Sequence, residues 1–85
     1  MPRVLAMTQR TLDAAELSDF YDTVRLRKVY FEAAGCRYWI FEQRTAPGTF
    51  LEFAEAPDAD TLAKALRAQP ADTFNGPLFS EVETR

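Results

Sequence analysis

Two carboxylates lie within the most hydrophobic stretch of this chain, residues 36–55. Glu42 and Glu52 each interrupt a run of apolar or aromatic residues that is typical of a β-strand. If a hairpin places both on one face, their mutual repulsion and burial would raise a pKa, and perturbed pKa values are common at functional sites. If the register shifts by one residue, the two separate onto opposite faces. As a further alternative, both are solvent-facing charges, and the sequence leaves this choice open.

An arginine beside aromatic residues precedes these carboxylates. Arg37 is followed by Tyr38 and Trp39, and an arginine in such a position can stack on a ring or bind a carboxylate. In the alternative interpretation, Trp39 is a core residue and Arg37 is a surface charge at the end of a strand. Asn75 stands before Gly76 and is most simply a turn residue.

The composition excludes several kinds of site. The chain has no histidine and a single cysteine, Cys36. This removes the commonest general base near neutral pH and the usual ligands of zinc and haem, so we expect no metal and no cofactor. A lone cysteine forms no intrachain disulfide, which fits a reducing compartment. A net charge of −3 argues against binding to nucleic acid, because a phosphate-binding surface needs a basic face.

The length and hydropathy indicate one cytoplasmic domain over residues 1–85. A chain of 85 residues has room for one core. No apolar run is long enough for a signal peptide, and none approaches the roughly 18 residues of a membrane helix. We therefore expect a cytoplasmic protein that does not enter the membrane.

The spacing of apolar residues predicts the first strand and the first helix. Residues 3–9 form a short apolar run that fits a strand. Asp13 or Ser18 can cap a helix that continues to about Ala34, where Gly35 ends it. Apolar residues fall on two nearly opposite faces of this helix. One face docks on a sheet, and the second, which includes Leu26, Val29, Tyr30 and Ala33, needs another cover such as a partner chain.

A second helix and a final strand follow the hydrophobic stretch. Asp58 or Asp60 can cap this helix, and Pro70 ends it. Residues 79–83 alternate between apolar and polar types, as in a partly exposed strand. With two strands in residues 36–55, the order is β-α-β-β-α-β. This order predicts a ferredoxin-like α+β fold with a four-stranded antiparallel sheet.

The hairpin in residues 36–55, around a Pro47-Gly48 turn, is apolar on both faces. Tyr38 and Ile40 point to one side, and Trp39 and Phe41 point to the other. Two helices cover only one side of the sheet, so we expect a homodimer that buries the other side, over more than about 1,200 Å² in total. We also expect a charged residue in place of Ile40 to destabilise this assembly.

The chain resembles the dimeric α+β barrel superfamily, which contains antibiotic-biosynthesis monooxygenase-like and stress-responsive barrel domains. The resemblance lies in the element order, in the helix ending Ala33-Ala34-Gly35, in the strand Tyr38-Trp39-Ile40-Phe41-Glu42, and in the Pro47-Gly48 turn before Phe50-Leu51-Glu52-Phe53. It implies that two sheets pack face to face, with a pocket between the sheet and helices of each subunit. Haem-degrading relatives depend on a histidine that this chain lacks.

The resemblance also implies candidate functions. We expect a homodimer that binds a small apolar or aromatic molecule between sheet and helices. Its expected ligand-binding residues are Tyr21, Tyr38, Trp39, Phe41, Glu42 and Glu52. One alternative is a cofactor-independent monooxygenase, because such relatives are similar in using Asn, Trp and Arg around an oxidisable aromatic substrate; the catalytic candidates are then Arg37, Trp39 and Asn75. Another alternative is a protein-interaction or oligomerisation module that uses the second apolar face of the first helix.

Overall fold

The structure is a computed structural model, and it describes residues 2–69 and 73–83. Its elements in chain order are β1 (Val4–Thr11), α1 (Leu17–Ala33), β2 (Arg37–Glu42), β3 (Thr49–Ala56), α2 (Ala59–Arg67) and β4 (Leu78–Ser80). The strands form one sheet in the order β2-β3-β1-β4, and every neighbouring pair is antiparallel. The predicted ferredoxin-like β-α-β-β-α-β fold is confirmed.

Both helices pack on the same side of this sheet, which we call the helix side. Strand alternation points every second residue of β1, β2 and β3 toward the helices, and the buried core forms there. At its centre, Phe31 of α1 and Leu62 of α2 are fully buried against the strands. The opposite side of the sheet, which we call the open face, has no element of this chain over it among the described residues.

The first helix starts and ends close to its predicted positions. Asp13 and Glu16 exchange hydrogen bonds before its first turn, since the Glu16 N–H donates to Asp13 Oδ1 over 3.2 Å and the Asp13 N–H donates to Glu16 Oε1 over 3.4 Å. The N-cap is Glu16, with no side-chain cap hydrogen bond, and Ser18 lies inside the helix, so the predicted caps at Asp13 and Ser18 are both wrong. The end is confirmed, because Gly35 has φ +83°, a left-handed conformation that favours glycine.

The hairpin has the predicted turn. Gly48 adopts φ +90°, and its N–H donates to Glu42 Oε2 over 3.0 Å. Its carbonyl accepts from the Leu12 N–H over 2.8 Å, which joins the turn to the end of β1. A side chain at this position would meet the carbonyl oxygen of Leu12, so the close approach of the two segments also requires glycine.

The second helix is capped by the first of its two predicted candidates. Asp58 has an extended backbone, and its Oδ1 accepts from the Thr61 N–H over 2.8 Å. Leu62 and Ala65 are buried in the core between this helix and the sheet. The predicted stop at Pro70 lies outside the described residues.

The edge strand β4 is shorter than predicted and starts one residue earlier. It pairs only with residues 4–6 of β1, and one further hydrogen bond joins the Glu81 N–H to the Arg3 carbonyl over 2.8 Å. Residues 81–83 are exposed, so the predicted strand over 79–83 is wrong at both ends. In contrast, β1 extends to Thr11 because β3 supplies partners as far as Thr49.

Candidate functional site

A fully buried carboxylate marks the helix side of the sheet. Glu52 has 0% of its surface exposed, and it lies in β3 between the inward-facing Phe50 and Ala54. Strand alternation forces this orientation, because every second residue of β3 faces the helices. A carboxylate in such a position is stable only if charges and hydrogen bonds compensate for the water it has lost.

Three side chains from three different elements provide this compensation. Arg27 of α1 donates from Nη1 to both carboxylate oxygens of Glu52, over 2.9 and 2.8 Å. Arg10 of β1 places Nε 2.8 Å from Oε1. Tyr38 of β2 donates its hydroxyl to Oε2 over 2.5 Å. We call these four residues the Glu52 cluster.

The positions of these residues in the fold explain why they meet. Thr8 lies directly opposite Glu52 in the β1–β3 ladder, so Arg10 is its diagonal neighbour on the same face. Tyr38 occupies the corresponding diagonal position on β2. Arg27 reaches the carboxylate from above, on the helix. Arg10 was not predicted, although its spacing from Val4 and Ala6 places it on the same inward face.

The cluster contains more positive than negative charge. Two guanidinium groups surround one carboxylate, and the Nε–H of Arg27 is buried without a hydrogen-bond partner among the described residues. The Nε–H of Arg10 is also buried, and it meets Glu52 in an ion pair without hydrogen-bond alignment. The pKa of Tyr38 is raised far above its ordinary value, by burial first and then by the hydrogen bond and charge of Glu52. Tyr38 is therefore a donor at neutral pH.

The register of the hairpin answers the question about the two glutamates. Glu42 pairs with Phe50, and Ile40 pairs with Glu52, so both carboxylates lie on the helix side. They form no shared site, because Glu42 is exposed and accepts the Gly48 N–H at the turn. The interpretation of solvent-facing charge is right for Glu42 and wrong for Glu52.

The open face of the sheet is apolar and rich in aromatic rings. Trp39 is 38% exposed and Phe41 is 57% exposed, and Phe41 packs edge-to-face on Phe53 with 5.8 Å between ring centroids. The apolar side chains of this face are Leu5, Met7, Trp39, Phe41, Leu51, Phe53 and Phe79. Ile40 points to the helix side instead, so a substitution there does not test this surface, contrary to our expectation.

The residues expected to bind a ligand lie on opposite sides of the sheet. Tyr38, Glu42 and Glu52 lie on the helix side, while Trp39 and Phe41 lie on the open face. Tyr21 belongs with the first group, since its ring meets the inward-facing Phe50 edge-on over 6.2 Å. One cavity within one subunit therefore cannot be lined by all six residues.

The catalytic candidates are divided in the same way. Arg37 and Trp39 share the open face of β2. Asn75 follows Phe74, which packs on Phe31 on the helix side of the sheet. The structure does not bring Asn75 together with the other two.

The second apolar face of α1 is exposed in the monomer. Leu26 and Val29 are 71% and 67% exposed. Tyr30 is half-buried and donates its hydroxyl to the Ala65 carbonyl over 2.6 Å. Within residues 2–69 and 73–83, no helix is long and apolar enough to cross a membrane, and no group of acidic or cysteine side chains is placed to hold a metal ion.

Known structures share this fold at low sequence identity. No family model and no curated protein sequence matches the chain. A protein named as a putative antibiotic biosynthesis monooxygenase from Nitrosomonas europaea aligns with a TM-score of 0.69 at 12% identity, over 93% of this chain and 86% of that one. Rv0793 from Mycobacterium tuberculosis aligns with a TM-score of 0.63 at 16% identity, over 100% and 95%. A conserved protein from Methanosarcina mazei Go1 aligns with 0.64 at 14%, over 95% and 90%.

These likenesses confirm the resemblance at the level of the fold. The chain shares its ferredoxin-like fold with these three structures, and the match spans nearly the whole of each chain. A fold hosts many activities, so function must be argued from the residues of this chain.

Proposed function

We propose that this chain is a cytoplasmic homodimer whose two open faces pack together, and that each subunit binds a small apolar or aromatic molecule on its helix side. The observation that carries the proposal is the open face itself. Its large apolar side chains, including Trp39 and Phe41, are contiguous across all four strands and exposed to solvent in the monomer. Soluble monomers rarely leave so large an apolar patch uncovered.

A second copy of the chain is the partner that fits this surface most simply. Two copies related by a twofold axis bring the same patch onto itself, so only self-complementarity is needed. The open face has few charged side chains, with Arg37 and Glu55 at one end of the hairpin. Burying this face in both copies would supply the roughly 1,200 Å² or more that a stable interface needs.

The ligand is proposed to bind beside the aromatic residues at one end of the helix side. Elsewhere the interior is filled, since Phe31 and Leu62 are fully buried. At the end near the start of α1, Phe20 packs on Phe50 with 4.8 Å between ring centroids, and Tyr21 remains partly exposed beside them. Aromatic rings of this kind pack well against a flat apolar molecule.

Two measurements on the wild-type chain test this function. Sedimentation velocity at micromolar concentration should show a dimer, and a stable monomer would refute the assembly. Titration with 1-naphthamide, a neutral aromatic probe, should shift the amide resonances of Phe20, Tyr21 and Phe50 in a ¹H–¹⁵N spectrum. Shifts confined to other residues would refute the location of the ligand.

A cofactor-independent oxygenase is the second candidate. Arg37 and Trp39 lie on one face, and in the proposed dimer that face lines the interior of the barrel. Such a reaction needs a substrate that can itself donate an electron, such as an anthrone or a quinol, so the protein need only position it and accept a proton. Oxygen uptake with these substrates above the buffer rate would favour the enzyme, and no uptake would leave the binding function.

A further inference from the structure

We propose that the Glu52 cluster binds the carboxylate of the ligand, which makes the ligand a small aromatic monoanion. This inference rests on the proposed ligand site on the helix side and adds the chemical class of the molecule. It is carried by the charge of the cluster and by a hydrogen-bond donor in it that has no partner.

The Glu52 cluster carries a net positive charge that one more anion would neutralise. Arg10 and Arg27 bring two positive charges to the single carboxylate of Glu52. The side chains of Arg10 and Arg27 are only 28% and 11% exposed, and a bound anion offsets part of the cost of removing their charge from water. The net positive charge therefore favours an anionic ligand over a neutral one of the same shape.

The hydrogen bonds of Arg27 also favour an anionic ligand. Both hydrogen bonds from Arg27 to Glu52 come from one atom, Nη1. The two groups therefore do not form the bidentate pair in which two guanidinium nitrogens each bind one carboxylate oxygen. The Nε–H on the side edge is buried and has no partner among the described residues. A guanidinium side edge is well matched to a carboxylate, and bonds between two such charged groups are among the strongest in proteins.

Arg10 connects this cluster with the aromatic end of the helix side. Its side chain is 28% exposed, whereas that of Glu52 is fully buried, so it is the accessible cation of the cluster. In the β1–β3 ladder Arg10 lies directly opposite Phe50, whose ring packs on Phe20. The ring of Tyr21 beside Phe50 is 45% exposed, and a molecule with a flat body on it would place an attached carboxylate near Arg10.

Nearby acidic residues limit the ligand to a single negative charge. Phe20 also lines a surface cleft of 420 Å³ that carries the carboxylates of Asp13, Glu16 and Asp19. These charges repel a phosphate dianion about twice as strongly as they repel a monoanion at the same distance. We therefore assign the site to aromatic carboxylates and not to phosphorylated compounds.

A matched pair of probes tests the assignment. 1-Naphthoate and 1-naphthamide share one ring system and differ in charge, and each is titrated into the full chain while the amide resonances are followed. The wild type should bind the acid at least about tenfold more tightly than the amide, as charge-assisted hydrogen bonds predict. Arg10→Gln should weaken this preference, because only Arg27 then remains to bind the carboxylate, and Arg10→Lys should weaken it less. Arg44→Gln removes the same charge from an exposed turn residue and should leave the preference unchanged.

The outcomes separate this inference from the function on which it rests. Equal binding of acid and amide at the aromatic end would refute the carboxylate site and keep the ligand function. A preference for the acid that is undiminished in folded Arg10→Gln would also refute it. Binding of neither probe would refute both proposals. If Arg10→Gln fails to fold, the preference for the acid is compared between Arg10→Lys and the wild type. Lysine keeps the charge and loses the bidentate geometry, so an undiminished preference in Arg10→Lys would refute the carboxylate site.

Discussion

The hydroxyl of Tyr38 lies 2.5 Å from the carboxylate of Glu52, although the two residues belong to different strands and stand 14 positions apart. The same carboxylate accepts two hydrogen bonds from Arg27, 25 positions away on α1. Glu52 thus links the central strand β3 to its neighbour and to the helix above. Because Glu52 is fully buried, its hydrogen bonds join specific partners, and the loss of one of them lowers the stability of the fold.

Replacing Glu52 should destabilise the fold strongly. Glu52→Gln leaves the guanidinium groups of Arg10 and Arg27 buried without a compensating charge, and breaking a buried pair in this way costs about 3–5 kcal/mol. Urea unfolding followed by circular dichroism measures the loss. The matched control is Glu42→Gln, an exposed carboxylate on the same face, which should change stability by less than about 0.5 kcal/mol. Equal effects of the two variants would contradict a structural role for the cluster.

Tyr38 should make the stability depend on pH in the alkaline range. Burial first, and then Glu52, raise the pKa of its hydroxyl above the usual 10.0. The unfolded chain therefore releases this proton at a lower pH than the folded chain does. The stabilisation is fully present below pH 10.0 and is lost as the pH rises through the folded-state pKa.

The variant Tyr38→Phe isolates this effect. It removes a hydrogen bond to a charged group and should cost about 1.5–3 kcal/mol near neutral pH. Above pH 10.0 its urea midpoint should fall less steeply than that of the wild type. Parallel curves for the two proteins would show that Tyr38 does not titrate differently in the folded state.

The elements of this fold were predictable because each has a local signal. Gly35 ends α1 with a positive φ, and Asp58 caps α2 with its side chain, and both residues could be recognised within a few positions of sequence. The strand β4 was placed wrongly because its extent depends on where β1 offers partners. That pairing lies more than 70 positions away and has no local signature, as in Val4 with Ser80.

The Glu52 cluster was only partly predictable for the same reason. Glu52 and Tyr38 were recognisable as unusual residues, but the face on which Glu52 lies depends on the register across the turn. Arg27 lies close to Arg25 and Lys28 in the sequence of α1, and nothing local distinguishes it from them. Only the packing of α1 on the sheet brings its guanidinium to the carboxylate.

The two glycines with positive φ should differ in their tolerance of alanine. Gly35→Ala places a Cβ 3.6 Å from Thr61 Cγ2, an ordinary contact, so only the left-handed backbone is penalised, by roughly 1–2 kcal/mol. Gly48→Ala places a Cβ 2.6 Å from the Leu12 carbonyl oxygen, so the turn must also move away from β1. Its cost should exceed that of Gly35→Ala by about 1 kcal/mol or more. Urea midpoints compare the two, and equal losses would contradict the close approach at the turn.

The cap of α2 should make a contribution that disappears in acid. The Thr61 N–H holds the pKa of Asp58 below its ordinary value of 3.8. The stabilisation is present above pH 3.8 and is lost as the pH falls through the lowered folded-state pKa. Asp58→Ala should therefore lower the thermal midpoint at neutral pH and approach the wild type in acid. Asp58→Asn, which can still accept the bond, should lose less. A deficit in Asp58→Ala that is the same at all pH values would contradict this role.

A charge on the open face should separate the proposed dimer, whereas a charge on the exposed face of α1 should not. Phe41 is 57% exposed in the monomer and lies on the open face, so Phe41→Asp would bury two unpaired carboxylates in a twofold interface. A cost of about 3 kcal/mol raises the dissociation constant roughly 100-fold. The matched control is Leu26→Asp, since Leu26 is 71% exposed on the second apolar face of α1.

Sedimentation velocity distinguishes the two surfaces. We expect Phe41→Asp to sediment as a monomer at a concentration where the wild type and Leu26→Asp are dimers. A dimer that survives Phe41→Asp but is lost in Leu26→Asp would place the interface on α1, as the interaction-module alternative requires. Loss in both variants, with folding intact by circular dichroism, would mean that each surface contributes to assembly. The open face alone would then be insufficient for dimer formation.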